Sequence, residues 1–218
     1  MSGITYDYME QFIRSLIPQN DSVLKELEDY ALNNSVPIIQ KEVGKFLELM
    51  INIKKPLKIL ELGTAIGYSA ILMHSSSNGK SHVTTIERDS NMVEIAKKNI
   101  NDLGLDNMIT VIEGDCIEVL EKLDDQFDFI FMDAGKGHYN HFLPQCLRLL
   151  KRDGIIVADN VLFKGMVASK ELLKRRKITI VKRMKTYLEL ISNDKDLITS
   201  VIPMGDGIAV TTRRSANE

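Results

Sequence analysis

A chain of 218 residues, 44% hydrophobic and 27% charged, is long enough to bury a core without disulfides or structural metal, and no apolar run in it approaches the roughly 20 residues of a membrane span. Its two cysteines, Cys116 and Cys146, form no Cys-x-x-Cys pair, which argues against a disulfide framework or a thiolate zinc site. The net charge of −2 conceals an asymmetry: from Lys164 to Lys185 there are nine basic residues against one acid, Glu171, on an otherwise acidic chain, a pattern that points to a polyanionic partner.

The start, Met1 to Asp7, is polar and then acidic, without the basic and apolar stretches of a signal peptide, so the expected location is the cytoplasm. Apolar residues then recur at helical spacing around Met9–Ile17, Val23–Ala31 and Val43–Met50, punctuated by Pro18, Pro37 and Pro56. After Pro56 the pattern changes to short runs rich in strand formers, 58–62, 82–86, 108–112, 127–132 and 154–158. Helical stretches at 68–74, 90–103, 116–123 and 139–150 separate them and predict crossovers on a buried parallel sheet. A basic helix is expected near 176–191, followed by runs at 197–202 and 208–212 around Gly205-Asp206-Gly207, which predict a closing antiparallel hairpin. With no repeat and no Pro/Gly-rich linker, residues 1–218 read as one domain of the α/β class, a doubly wound, mostly parallel sheet.

Ligands of such sheets bind beyond the carboxyl ends of the strands. The first strand ends in Glu61-Leu62-Gly63-Thr64-Ala65-Ile66-Gly67-Tyr68-Ser69; Gly63 permits a turn and a close ligand, and Gly67 starts a helix whose N–H groups can bind a carboxylate. Glu87, 24 residues after Gly63, ends the second strand, where an acid can accept hydrogen bonds from the hydroxyls of an adenosine ribose. Nicotinamide dinucleotides and S-adenosylmethionine both carry that ribose, but Ala65 stands where the second glycine of Gly-x-Gly-x-x-Gly belongs, which favours a cofactor without pyrophosphate. The third strand ends in Glu113-Gly114-Asp115-Cys116, at the depth of an adenine edge. This ordered set resembles the class I methyltransferases. The resemblance implies S-adenosylmethionine as cofactor, Glu61 near its amino group or bracing the glycine loop, Ser69 at its carboxylate, and Val36 as a contact from the N-terminal helices.

The fourth and fifth strands end in Phe131-Met132-Asp133 and Ala158-Asp159-Asn160, bringing two carboxylates and an amide to the same edge. Carboxylates that close need a cation, and oxygen donors favour Mg²⁺, with Mn²⁺ or Ca²⁺ as substitutes. His138 and His141 lack thiol or carboxylate partners at zinc spacing. Lys136, three residues after Asp133, is placed to act as a general base on a metal-bound hydroxyl.

Together, Glu61–Ser69, Asp133-Ala134-Gly135-Lys136 and Ala158-Asp159-Asn160 resemble the metal-dependent O-methyltransferases of the catechol and caffeoyl-CoA type, over nearly the whole chain. The resemblance implies a helical lid at 1–56 over an α/β core at 57–218, with Asp133 touching both cofactor and metal, and assembly as a homodimer. Within the family, Val36-Pro37-Ile38, the segments 63–71 and 159–165, and Ile202–Gly207 are similar to the bacterial tRNA 5-hydroxyuridine methyltransferases. On that reading the partner is a tRNA anticodon stem-loop and neither DNA nor membrane, contacted by Lys164, Lys174, Arg175, Arg176, Lys182 and Arg183. A small catechol-like acceptor is the alternative. The catechol enzymes line the substrate mouth with tryptophan, and this chain has none.

Overall fold

The computed structural model describes residues 4–215. Three helices come first: α1 (Asp7–Ser15), α2 (Ser22–Asn33) and α3 (Lys41–Lys54). Asp21 caps α2 by accepting the Leu24 N–H, and α3 stops at Lys55, in a left-handed conformation just before Pro56, which cannot continue a helix. Strands and helices then alternate: β1 (Lys58–Leu62), α4 (Tyr68–Ser76), β2 (His82–Glu87), α5 (Ser90–Asp102), β3 (Ile109–Glu113), α6 (Cys116–Lys122), β4 (Phe127–Met132), α7 (Tyr139–Leu149) and β5 (Leu150–Ala158). A short 3-10 turn at Arg175–Lys177 leads into α8 (Ile178–Asn193), and β6 (Leu197–Ile202) and β7 (Ile208–Arg213) close the chain. Asp89 and Asp115 each cap the helix after their strand through their own carboxylates.

The seven strands form one sheet in the order β3-β2-β1-β4-β5-β7-β6; it is parallel through β5 and antiparallel at β7 and β6, and the mostly parallel sheet with a closing antiparallel hairpin is what the sequence predicts. Alternation along the strands sends side chains to two cores. Ile59, Val83, Phe129, Phe131 and Val157 pack under α2, α3, α4 and α5; Leu60, Leu62, Ile130, Met132 and Ile156 pack under α6, α7 and α8. Among the N-terminal helices, α3 is part of the first layer, with Val43, Leu47 and Ile51 fully buried. On α1, by contrast, Phe12 remains 58% exposed, and Leu16 just after it 66%.

Several boundaries differ from the expectation by a residue or two, and β5 differs by four. β5 begins at Leu150 rather than at 154, because Leu150 pairs with Phe127. The basic segment is divided: residues 161–174 form turns, and the helix starts at Ile178.

Candidate functional site

The parallel ladder carries on just past the strand ends, and this is what assembles the site. The Gly114 N–H donates to the Glu87 carbonyl at 2.8 Å, Gly63 to Ile86 at 3.0 Å, Asp133 to Leu62 at 3.0 Å and Asp159 to Met132 at 2.9 Å. Residues from five strands thus stand side by side along one sheet edge. Beyond them lies a cavity of about 560 Å³ whose walls include Gly63, Ala65, Glu87, Asp133, Lys136, Asp159, Asn160, Lys164 and Asp206. A smaller hollow of about 100 Å³ adjoins it, lined by Glu87, Asp115, Cys116, Gly135, His138 and Phe142. Glu87 belongs to both walls, so a ligand spanning the two spaces passes this carboxylate.

On the cofactor side, Gly63 has φ +105°, and an added Cβ would lie 2.9 Å from the Ala134 Cβ; the β1 and β4 loops approach this closely because no side chain stands between them. Gly67 caps α4 without a side chain, leaving the first-turn N–H groups to a ligand anion. Glu87 is more engaged than its position in the sequence reveals. Its Oε2 accepts the Ala65 N–H at 3.0 Å, and its Oε1 accepts those of Arg88 and Asp89 at 2.8 and 3.0 Å. Of about four acceptor positions on a carboxylate, about one is left for a ligand hydroxyl.

Glu61 and Ser69 do not line either cavity. Glu61 is fully buried: its Oε2 accepts from the Thr85 hydroxyl at 2.6 Å, that hydroxyl also lies 2.6 Å from the Thr64 hydroxyl of the glycine loop, and Glu61 Oε1 has no partner. Burial pushes this carboxyl up to about 7, against the lowering effect of the Ser69 and Thr85 hydroxyls. Glu61 is thus tied through Thr85 to Thr64 of the glycine loop, from beneath it. Val36 faces a neighbouring hollow, while the residues after it, Pro37–Gln40, line the larger cavity.

On the acidic side, Asp133 is half-buried and Asp159 is 2% exposed, and neither forms a salt bridge among the described residues. Burial raises the pKa of both carboxyls, and the charge of Asp133 raises that of Asp159 further. Asn160 follows with φ 58°, a left-handed conformation that asparagine tolerates, and its N–H donates to Asp159 Oδ1 at 2.6 Å. Among the described residues no cluster of three His, Cys, Asp or Glu side chains is arranged to hold a metal; the donor set is two carboxylates and an amide, which suits a hard cation that keeps water ligands.

Two contributors were not singled out in the sequence. The Asp206 carboxylate accepts the Lys164 N–H, and its backbone carbonyl accepts the Leu162 N–H at 3.0 Å, so this residue of the β6–β7 turn fastens the loop after Asn160 and also faces the cavity. Tyr139 is fully buried, with its hydroxyl 2.9 Å from the Met132 carbonyl and 3.0 Å from that of Asp159. It ties together the two strand ends that carry the acids.

The basic residues are dispersed. Lys164 is on the cavity rim; Lys174, Arg175 and Arg176 are exposed around the 3-10 turn; Lys182 is exposed on α8. Arg183 is committed elsewhere, donating to the Gly137 carbonyl at 3.2 Å and so holding the loop that carries Lys136.

Residues 15–214 match the model of the O-methyltransferase family, a span that includes every residue of the two cavity walls named above. The chain belongs to this family. It is 32% identical to a catechol O-methyltransferase of Niastella koreensis over 77% of this chain and 78% of that one. A Staphylococcus aureus structure provisionally described as a caffeoyl-CoA O-methyltransferase superposes with TM-score 0.87 at 32% identity, covering 95% of this chain and 100% of that one. An O-methyltransferase from Bacillus cereus in complex with S-adenosylhomocysteine superposes with TM-score 0.82 at 26% identity, covering 95% and 97%. The family is thus of the catechol and caffeoyl-CoA type, and these solved structures share the fold described above.

Proposed function

We propose that this chain transfers a methyl group from S-adenosylmethionine to a hydroxyl that neighbours a second oxygen on a planar acceptor, with Mg²⁺ held by Asp133, Asp159 and Asn160. One observation carries the reading: two unpaired carboxyls of raised pKa and an amide end adjacent strands, on the same cavity that Glu87 and the glycine loop line. Two carboxylates confined together repel each other, and a cation between them relieves that repulsion. The bound S-adenosylhomocysteine of the Bacillus cereus relative supports the choice of cofactor.

When bound, the cofactor supplies an electrophilic methyl on sulfur and the cation supplies the charge that makes the acceptor hydroxyl acidic. The chain's own residues do the rest. Glu87 orients the ribose, the α4 N-terminus receives the carboxylate, and the absence of a Cβ at Gly63 lets the reacting end lie against the backbone. Lys136 Nζ takes up the hydroxyl proton, held in place through the Arg183–Gly137 bond.

A small catechol-like molecule is the acceptor that the relatives support best. A second reading, 5-hydroxyuridine at the tRNA wobble position, is favoured by one observation, the exposed cations Lys174, Arg175, Arg176 and Lys182 on the chain that leaves the metal ligands. The 5-hydroxyl and 4-carbonyl of that base offer the same pair of neighbouring oxygens. The test is S-adenosylhomocysteine release with a catechol acceptor and with 5-hydroxyuridine tRNA, with and without EDTA, on wild type and Asp159→Asn. Turnover that resists both EDTA and the substitution overturns the metal assignment; turnover with only one acceptor chooses between the substrates.

A further inference from the structure

The catalytic cavity has one wall that no strand supplies. Residues Pro37–Gln40, between α2 and α3, line it and also line a separate hollow of about 490 Å³ beside Arg14, Lys25 and Leu32. They form a partition between two spaces, outside any helix or strand. Its position therefore depends on side chains.

Gln40 is where it is held. Arg14 of α1 donates through Nη2 to Gln40 Oε1 at 2.9 Å, and the same guanidinium grips Glu42, 5% exposed, through Nε at 2.8 Å and Nη2 at 2.7 Å. On its other side the Gln40 amide abuts Gly205, where an added Cβ would lie 3.3 Å from Oε1, and Gly205 adjoins Asp206 of the cavity wall. The guanidinium matters more here because α1 has little apolar anchorage: Glu10 is its one buried residue among those described, and Tyr8, Phe12 and Leu16 face outward. A planar fork with donors fixed toward two acceptors is a job that lysine cannot copy.

We propose that Arg14 is a positioning residue for the acceptor: acting from α1 through Gln40 and Glu42, it sets the 37–40 partition at the distance from Asp133 and Asp159 that the acceptor requires. The kinetic part of this inference rests on the methyl-transfer reading above; the conformational part does not.

The experiment compares wild type, Arg14→Lys, Arg14→Met and Gln40→Leu by steady-state methyl transfer, calorimetric binding of S-adenosylhomocysteine, thermal unfolding and hydrogen exchange of the 36–41 peptide. Gln40→Leu cuts the link to the partition while sparing the Arg14–Glu42 pair, so it should stay folded, with a melting temperature lowered less than that of Arg14→Met. All three variants should raise the acceptor KM by about tenfold, the scale of a lost hydrogen bond to a charged group, with kcat and S-adenosylhomocysteine affinity unchanged and with faster exchange over 36–41. A folded Gln40→Leu with wild-type KM and wild-type exchange overturns the proposal. If wild type methylates no acceptor, the methyl-transfer reading falls, and exchange decides alone: faster in the variants upholds the positioning role, unchanged overturns it.

Discussion

Glu87 holds the glycine loop in place as well as lining both cavities, since it accepts from Ala65 of the β1–α4 turn. Glu87→Gln keeps the shape and replaces one acceptor oxygen with a donor, so S-adenosylhomocysteine binding should weaken by about 1–3 kcal/mol, measured by calorimetry, with the melting temperature falling slightly as the Ala65 contact weakens. An unchanged dissociation constant would remove Glu87 from the ribose site. The position of this acid at the end of a strand was readable from its spacing; its three backbone donors were not, because the conformation of the turn decides which N–H groups point at it. Asp206 was hidden differently. Between two glycines it reads as a hairpin turn, and its contact with Lys164, 42 residues away, has no local signal.

At the scale of elements, the acid-bearing ends of β4 and β5 depend on a helix that follows one of them. Tyr139, at the start of α7, reaches back to the carbonyls of Met132 and Asp159, and its ring packs against Tyr187 of α8. Tyr139→Phe leaves those carbonyls without this donor and should cost about 1–3 kcal/mol of stability by urea unfolding, with methyl transfer reduced more than cofactor binding, since the shift falls on Asp133 and Asp159. Equal losses in both would place the tyrosine's role elsewhere. The basic segment makes a different kind of prediction. Lys174, Arg175 and Arg176 are exposed and outside the cavity walls, so replacing all three with Ala should spare turnover of a catechol acceptor. If tRNA is the acceptor, the same variant should bind it more weakly and with a flatter dependence on salt, because phosphate contacts release counterions; filter binding at several ionic strengths reads this directly. The charge run was plain in the sequence, whereas its division among a rim, a turn and α8, with Arg183 turned inward, depended on where the helix starts.

Across the whole molecule, the cost of the site appears as a dependence on pH. Glu61, Asp133 and Asp159 all have raised pKa values, chiefly from burial, so the folded protein binds protons that the unfolded chain has already released. Stability of the metal-free protein should therefore fall as pH rises through the window from the ordinary carboxylate range to about 7, where Glu61 titrates. Mg²⁺ should restore it, more at about pH 8 than at about pH 5, because protonated carboxyls do not bind the cation; calorimetric melting with and without Mg²⁺ at both values checks the sign, and an equal increment at both would refute the cation assignment. The layout of the sheet was legible beforehand: β1, β4 and β6 lie within the predicted limits because hydrophobic alternation and flanking turn residues are local properties, and the acids at the strand ends follow from the rule that parallel sheets bind at their carboxyl edge. The link of Glu61 through Thr85 to Thr64 of the loop, the tie made by Tyr139, the loop clasp of Asp206 and the grip of Arg14 on Gln40 emerged only on folding. Each joins residues from different elements, and which side chains meet there is set by sheet register and helix packing, neither of which a local pattern of residue types encodes.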